Sequence, residues 1–132
     1  MYGQLPLFHL CAHSALEFVS GDVRDETIMR SLLKGADVVI PLAAVVGRPA
    51  CERDPWLARS VNLEAIQLIK RLRSPHQLII FPTTNSGYGT KSGETYCTEE
   101  TLLEAVTLYG QTKVEAEAAL LQIPNVITLR LA

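Results

Sequence analysis

Short apolar runs alternate with amphipathic segments along the chain, the order that a parallel α/β sheet requires. "LEFVSGD", residues 16–22, reads as a strand ending in a turn. In "RDETIMRSLLKG", Ile28, Met29, Leu32 and Leu33 share one helical face, with Asp25 as N-cap and Gly35 as stop. "DVVIPLAA" is a continuous apolar run, the pattern of a strand covered on both faces. "DPWLARSVNLEAIQLIKRLRS" predicts one long helix over about 55–72, capped by Asp54 and opened by Pro55. Its apolar stripe is Leu57, Val61, Ala65, Leu68, Ile69 and Leu72. "QLIIFPTT", residues 77–84, is a third buried strand, followed by the glycine-rich loop "NSGYGTKSGETY". A helix from about Thr107 to about Gln122 and a last strand, "NVITLRLA" (residues 125–132), complete the pattern.

Composition narrows the class. The chain has 132 residues, 48% hydrophobic and 20% charged, which suits a single globular unit with a real core. A net charge of −2 offers no basic surface for nucleic acid or an anionic membrane. The longest near-apolar run, "VVIPLAAVVG", falls well short of the roughly 18 residues that a spanning helix needs. No signal-peptide pattern opens the chain. Its three cysteines are odd in number and form no Cys-x-x-Cys, so a reducing cytoplasm is expected rather than a disulfide framework. "HLCAH" places Cys11 between His9 and His13, but no second cluster supplies the remaining ligands of a metal site, and none is expected. "GYGTKSG" lacks the Gly-Lys-Ser/Thr order of a phosphate loop. Glu94, Glu99, Glu100 and Glu104 read as a solvated face.

The candidate chemistry lies in "LYGQTKVEA". On a helix, Tyr109 and Lys113 are neighbours on one face. A free phenol has a pKa of about 10, and a nearby ammonium favours the phenolate. Such a pair can serve as general base and, in reverse, as general acid. Thr84 ends a predicted parallel strand 25 residues earlier, and ligands of open α/β sheets bind beyond such strand ends. Thr83, Thr84, Asn85 and Ser86 bring hydroxyls and an amide there. "PLAAVVG" ends a second strand with small residues against which a flat ring can lie, and Gly21-Asp22 ends another with a carboxylate. The bland readings stand beside these: Asp22 also suits a turn cap, "PLAAVVG" also suits plain buried strand, and Thr84 also suits a strand end without chemistry.

The stretches "GDVRD", "PLAAVVG", "SVN", "TTNSGYG", "YCTEET", "LYGQTKVEAE" and "ITLRLA" follow one another from about Gly21 to Ala132. In that order they resemble the extended short-chain dehydrogenase/reductases, in particular the NAD-dependent nucleotide-sugar epimerases and dehydratases. The resemblance implies a Rossmann-type sheet binding NAD, with NADP not excluded, and a nucleoside-diphosphate sugar as substrate. It implies Tyr109 as the acid/base on a sugar hydroxyl, Lys113 as the group that lowers its pKa and bonds the nicotinamide ribose, and Thr84 as hydroxyl partner of the reacting sugar oxygen. Asp22 and Val23 would flank the adenine. Leu42, Ala43 and Ala44 would floor the cofactor site, with Thr83 beside them. Asn62 would lie near the adenosine half or in the helix packing there, and Asn85, Ser86 and Gly87 near the sugar.

The chain departs from the family in three places. Pro41 stands where histidine is common. Ala105 and Val106 replace the usual proline before the tyrosine, so the helix is expected to start earlier and move Tyr109. No Gly-x-Gly-x-x-Gly turn precedes the first helix. The expectation is therefore a partial Rossmann-like domain over residues 1–132, lacking the first βαβ unit and the C-terminal sugar part, which keeps its geometry near Tyr109 but binds NAD weakly or not at all. The "LEFVSGD" strand would then lack its usual neighbours, while strands near Val38, Gln77 and Asn125 pair side by side. An intact parent is expected to form a homodimer through the helices at about 55–72 and 107–122. The alternatives are a non-catalytic remnant that completes a partner's sheet through its strand edges, or a reductase of the same family.

Overall fold

The structure, a computed structural model, describes residues 13–90 and 96–131. Its frame is a parallel three-stranded sheet in the order β1 (Val38–Val39), β2 (Leu78–Thr84), β3 (Val126–Leu131). Val38 faces Leu78 across the first ladder, and Ile79 through Thr84 face Val126 through Leu131 across the second. One face of β2 is sealed. Ile79 and Phe81 pack against Met29 and Leu33 of α1 (Glu26–Leu33), Ile66 and Ile69 of α4 (Ala65–Leu72), and Ala116 and Leu120 of α5 (Leu108–Leu120). This burial of aliphatic and aromatic surface is the main favourable term holding helices to sheet. Side chains on β3 alternate, so Val126, Thr128 and Arg130 turn to the helices while Ile127, Leu129 and Leu131 stay exposed. The result is a Rossmann-like sheet with flanking helices, three strands wide among the described residues.

Helix starts follow local chemistry. The Asp25 carboxylate accepts from the backbone N–H of Thr27 and Ile28, that of Asp54 from Leu57, and the Thr107 hydroxyl from Gly110. Because Thr107 caps it, α5 begins at Leu108; Ala105 and Val106 do not lengthen it.

Several expectations fail. "LEFVSGD" forms no strand, and Leu16, Phe18 and Val19 are exposed, because no neighbour within the described residues offers a ladder. "DVVIPLAA" keeps only two ladder residues, with Ile40 and Leu42 exposed, because β1 is an edge strand paired on one side. Leu32 is exposed rather than part of the buried face of α1. "RPACER" forms an unexpected helix, α2 (Arg48–Arg53). The helix expected over 55–72 runs unbroken, but as α3 (Pro55–Arg59), a π turn (Ser60–Glu64) and α4 rather than as one regular α-helix. In the π turn the Ala65 N–H reaches back to the Ser60 carbonyl, which adds a residue to the turn and shifts the phase of the stripe. Ala65 and Ile69 are buried, but so are Ala58, Asn62, Leu63 and Ile66, while Leu57, Val61, Leu68 and Leu72 are only half-buried.

Candidate active site

Thr84 is the last residue of β2, and a 3₁₀ turn, Asn85–Tyr88, follows at once. Its hydroxyl accepts from the Ser86 N–H and donates to Ser86 Oγ, both at 3.1 Å. Tyr109 is the second residue of α5, whose first turn presses on this 3₁₀ turn. A Cβ at Gly110 would stand 2.9 Å from the Ser86 carbonyl oxygen, so only glycine allows the approach. The approach brings the Tyr109 phenol to the Thr84 side of the sheet, near enough for Thr84 to act on its proton affinity. One cleft of about 280 Å³ at the carboxyl ends of β1 and β2 is lined by Leu42, Ala44, Thr83, Thr84, Tyr109 and Lys113, among others. The phenol, the ammonium and the threonine hydroxyl therefore share a space.

Their electrostatics differ from the sequence-based expectation. Lys113 is 6% exposed. Its Nζ donates to the Pro82 carbonyl at 2.7 Å and lies 3.9 Å from the centroid of the Phe81 ring. Burial pulls its pKa down to about 8, against the opposing field of Glu117. The Tyr109 phenol is held above its ordinary value, by burial first and by the field of Cys51 second, while Thr84 pulls the other way. The expected lowering of the phenol's pKa by Lys113 is thus corrected. Sharing a helical face put the two residues together, but the ammonium is drawn to a backbone carbonyl and a ring.

The cleft also has an open polar demand. Thr83 Oγ is buried in its wall without a hydrogen-bond partner. Such a group destabilises a protein unless something satisfies it. Beside it Leu42 is 72% exposed. An uncovered apolar floor next to an unpaired hydroxyl fits a flat ring carrying a ribose, so the residues present suit the nicotinamide half of a dinucleotide.

Other candidates lie elsewhere. Asp22 makes a fork with Arg24, at 2.6 Å and 2.9 Å, and accepts from the Arg24 N–H, which holds its pKa down at about 2. Arg24 also reaches Ser60 Oγ and stacks 5.5 Å from the Trp56 ring centroid. Asp22 thus fills the turn-capping role that its alternative reading gave it. Val23 packs against the core, and Ala43 is exposed outside the cleft lining. Asn62 is buried: its side chain accepts from the Val45 N–H at 2.8 Å and donates to the Val45 carbonyl at 3.0 Å and to Thr112 Oγ at 3.3 Å. It is a clamp in the helix packing, and Cys51 Sγ donates to the same Val45 carbonyl. Gly87 is buried, with a Cβ there meeting Val114 at 2.9 Å, so it serves packing. Asn85 lines a separate, larger cleft of about 900 Å³ with Tyr88, Thr98, Glu99 and Arg130. Ser86 is half-buried on Thr84.

Cys51, Thr112 and the Glu117–Arg130 pair were not singled out from sequence. The only signal was an asparagine and a threonine at helix positions that otherwise face a core. His9, Cys11 and Glu94 lie outside the described residues. Among those described, no group of His, Cys, Asp and Glu is arranged to hold a metal ion, and no helix is long and apolar enough to cross a membrane.

A family model, "NAD dependent epimerase/dehydratase family", matches residues 6–126. A protein of Bacillus subtilis (strain 168) described as an uncharacterized UDP-glucose epimerase is 34% identical over 94 residues, which is 67% of this chain and 28% of that protein. The crystal structure of a UDP-glucuronic acid 4-epimerase from Bacillus cereus, in complex with UDP-glucuronic acid and NAD, superposes with a TM-score of 0.84 at 28% identity, over 96% of this chain and 42% of the other. A UDP-glucose-4-epimerase from Stenotrophomonas maltophila, with bound NAD and formylated UDP-arabinopyranose, gives 0.79 at 25% identity, over 88% and 37%. The chain therefore spans well under half the length of these relatives.

Proposed function

Since this chain belongs to the NAD-dependent epimerase/dehydratase family, we propose that it supplies the catalytic cleft of an enzyme that epimerises or dehydrates a nucleoside-diphosphate sugar. The observation that carries this reading is the single cleft uniting Tyr109, Lys113 and Thr84 beside the unpaired Thr83 hydroxyl. NAD, when bound, supplies the hydride acceptor. Ala44 and Leu42 give the ring a floor, and Thr83 gains the partner it lacks. Lys113 donates to a ribose hydroxyl while its ammonium stays over the Phe81 ring. Tyr109 takes the proton of a sugar hydroxyl and returns it, and Thr84 holds the same sugar oxygen. Positive charge entering the cleft with a ligand favours the phenolate, against the burial that now opposes it. Asn85, in the larger neighbouring cleft, and Ser86, held on Thr84, belong to the turn that would meet the sugar. An assembled protein pairs through α3–α4 and α5, which already touch through Arg59 and Glu115 at 3.5 Å.

An amide NMR titration with NAD to millimolar concentration tests the cleft. Weak shifts concentrated at Ala44, Thr83, Thr84, Tyr109 and Lys113 are expected; shifts concentrated elsewhere reject the assignment. In any preparation that turns over UDP-glucose or UDP-glucuronic acid, Tyr109→Phe lowers kcat by at least about 100-fold. Turnover equal to wild type contradicts the acid/base role.

A second reading is an interaction subunit that completes a partner's sheet. It is favoured by the exposed Ile127, Leu129 and Leu131 on β3, which like β1 is an open edge among the described residues. Under it, Tyr109→Phe changes nothing measurable.

A further inference from the structure

Outside the cleft, the guanidinium of Arg130 bridges two elements. Its two sides are used for different things. Nε and Nη2 clasp Glu117 Oε1 at 3.0 and 2.9 Å, and Thr128 Oγ donates to the same oxygen at 3.2 Å. Nη1 instead donates to the Tyr88 hydroxyl at 3.1 Å and to the Glu99 carbonyl at 3.2 Å. The Tyr88 hydroxyl passes its own proton to the Thr98 carbonyl at 3.1 Å, and the Tyr88 ring lies 5.3 Å from the Arg130 guanidinium carbon. Glu117 is 2% exposed and sits one helical turn beyond Lys113 on α5. Tyr88 closes the 3₁₀ turn that carries Asn85 and Ser86.

We infer that Arg130 is a positioning residue: through Glu117 and Tyr88 it fixes the turn carrying the sugar-side residues Asn85 and Ser86 against the helix carrying Tyr109 and Lys113. This rests on the proposed function only in calling that turn sugar-side. The physical case is the fork. A planar guanidinium with five donors can hold a buried carboxylate on one side and a hydroxyl and a carbonyl on the other, which a lysine cannot. A buried carboxylate clasped by a guanidinium is strongly tied to it, since separation would leave its charge poorly compensated. The anchor on α5 is therefore rigid, and the contacts to Tyr88 and Glu99 transmit that rigidity to a segment otherwise rich in exposed residues. Lys113 and Glu117 share one face of α5, so the anchor that places the turn also places the lysine.

Tyr88→Phe separates positioning from plain stability. It removes only the hydroxyl, leaves the Glu117 pair whole, and keeps the ring under the guanidinium. Hydrogen-exchange mass spectrometry on the chain, with and without the substitution, is the test. Exchange in peptides covering 85–90 and 96–104 is expected to rise about tenfold, while β2, α4 and β3 keep their rates. The side-chain Nε–H resonance of Arg130 is expected to persist in Tyr88→Phe and to be lost in Glu117→Gln. Unchanged exchange over 96–104 in Tyr88→Phe overturns the inference, and so does a uniform rise across all elements, which signals lost global stability. Both readouts need neither cofactor nor sugar. Failure of the cleft as a cofactor site would appear in the NAD titration and leave them untouched. Where a preparation turns over a UDP-sugar, Tyr88→Phe raises KM several-fold with kcat within about twofold of wild type.

Discussion

Lys113 is a buried cation whose stability contribution can be worked out. Its pKa falls from 10.5 to about 8 on folding, chiefly through burial. That fall corresponds to at most about 3 kcal/mol by which the charged form is disfavoured in the folded state. Below pH 8 both states are protonated and the whole penalty is present. Between about pH 8 and 10.5 the unfolded chain holds the proton more often than the folded one, so stability rises with pH; above 10.5 the penalty is gone. Cys51 and Tyr109 act oppositely, because their folded-state values are raised and their stability contributions fall as pH rises beyond the unfolded values of about 8.5 and 10. A comparison with Lys113→Met isolates the lysine, since methionine is a similarly long unbranched side chain and the other groups cancel in the difference. At pH 7 the variant should gain about 3 kcal/mol and lose about 1 for the hydrogen bond to Pro82, a net stabilisation of about 2 kcal/mol. By pH 10.5 the order should invert by about 1 kcal/mol. Urea denaturation of both proteins at half-unit steps from pH 7 to 10.5 measures this. A difference that stays constant with pH would show that the ammonium is not desolvated and would refute the reasoning. A buried charge kept at this cost is what a site that trades stability for chemistry contains.

Two further outcomes follow from particular contacts. Thr83→Val deletes the unpaired buried hydroxyl at nearly constant volume; urea unfolding should show a gain of about 1 kcal/mol, while the NAD-induced shifts weaken, and a loss of stability would mean that the hydroxyl has a partner. Asn62→Leu leaves the Val45 N–H without its side-chain partner and the Val45 carbonyl with the Cys51 thiol alone, so calorimetry should record a destabilisation of about 2 kcal/mol; an unchanged melting temperature would deny the clamp its role.

Much of this molecule was legible in one dimension. "QLIIFPTT" and "NVITLRLA" carry enough β-branched and apolar residues to be strands in any context that offers a neighbour, and both pair in parallel. Asp25, Asp54 and Thr107 cap helices by contacts within three residues, which sequence contains in full. The i, i+4 spacing alone placed Tyr109 and Lys113 on one face. What lay beyond it needed three dimensions. "LEFVSGD" has strand composition, but a strand is a property of a pair, and the described residues offer it no partner. The π turn at Ser60–Glu64 carries Asn62, whose partner Val45 lies 17 positions earlier. The proton affinity of Tyr109 was misjudged from spacing, because burial governs it and Lys113 turns instead to the Pro82 carbonyl, 31 positions earlier. Sequence determined which groups could meet, through periodicities and caps that act over a few residues. Tertiary structure decided what each group faces and how much water it keeps, and those two quantities set its charge.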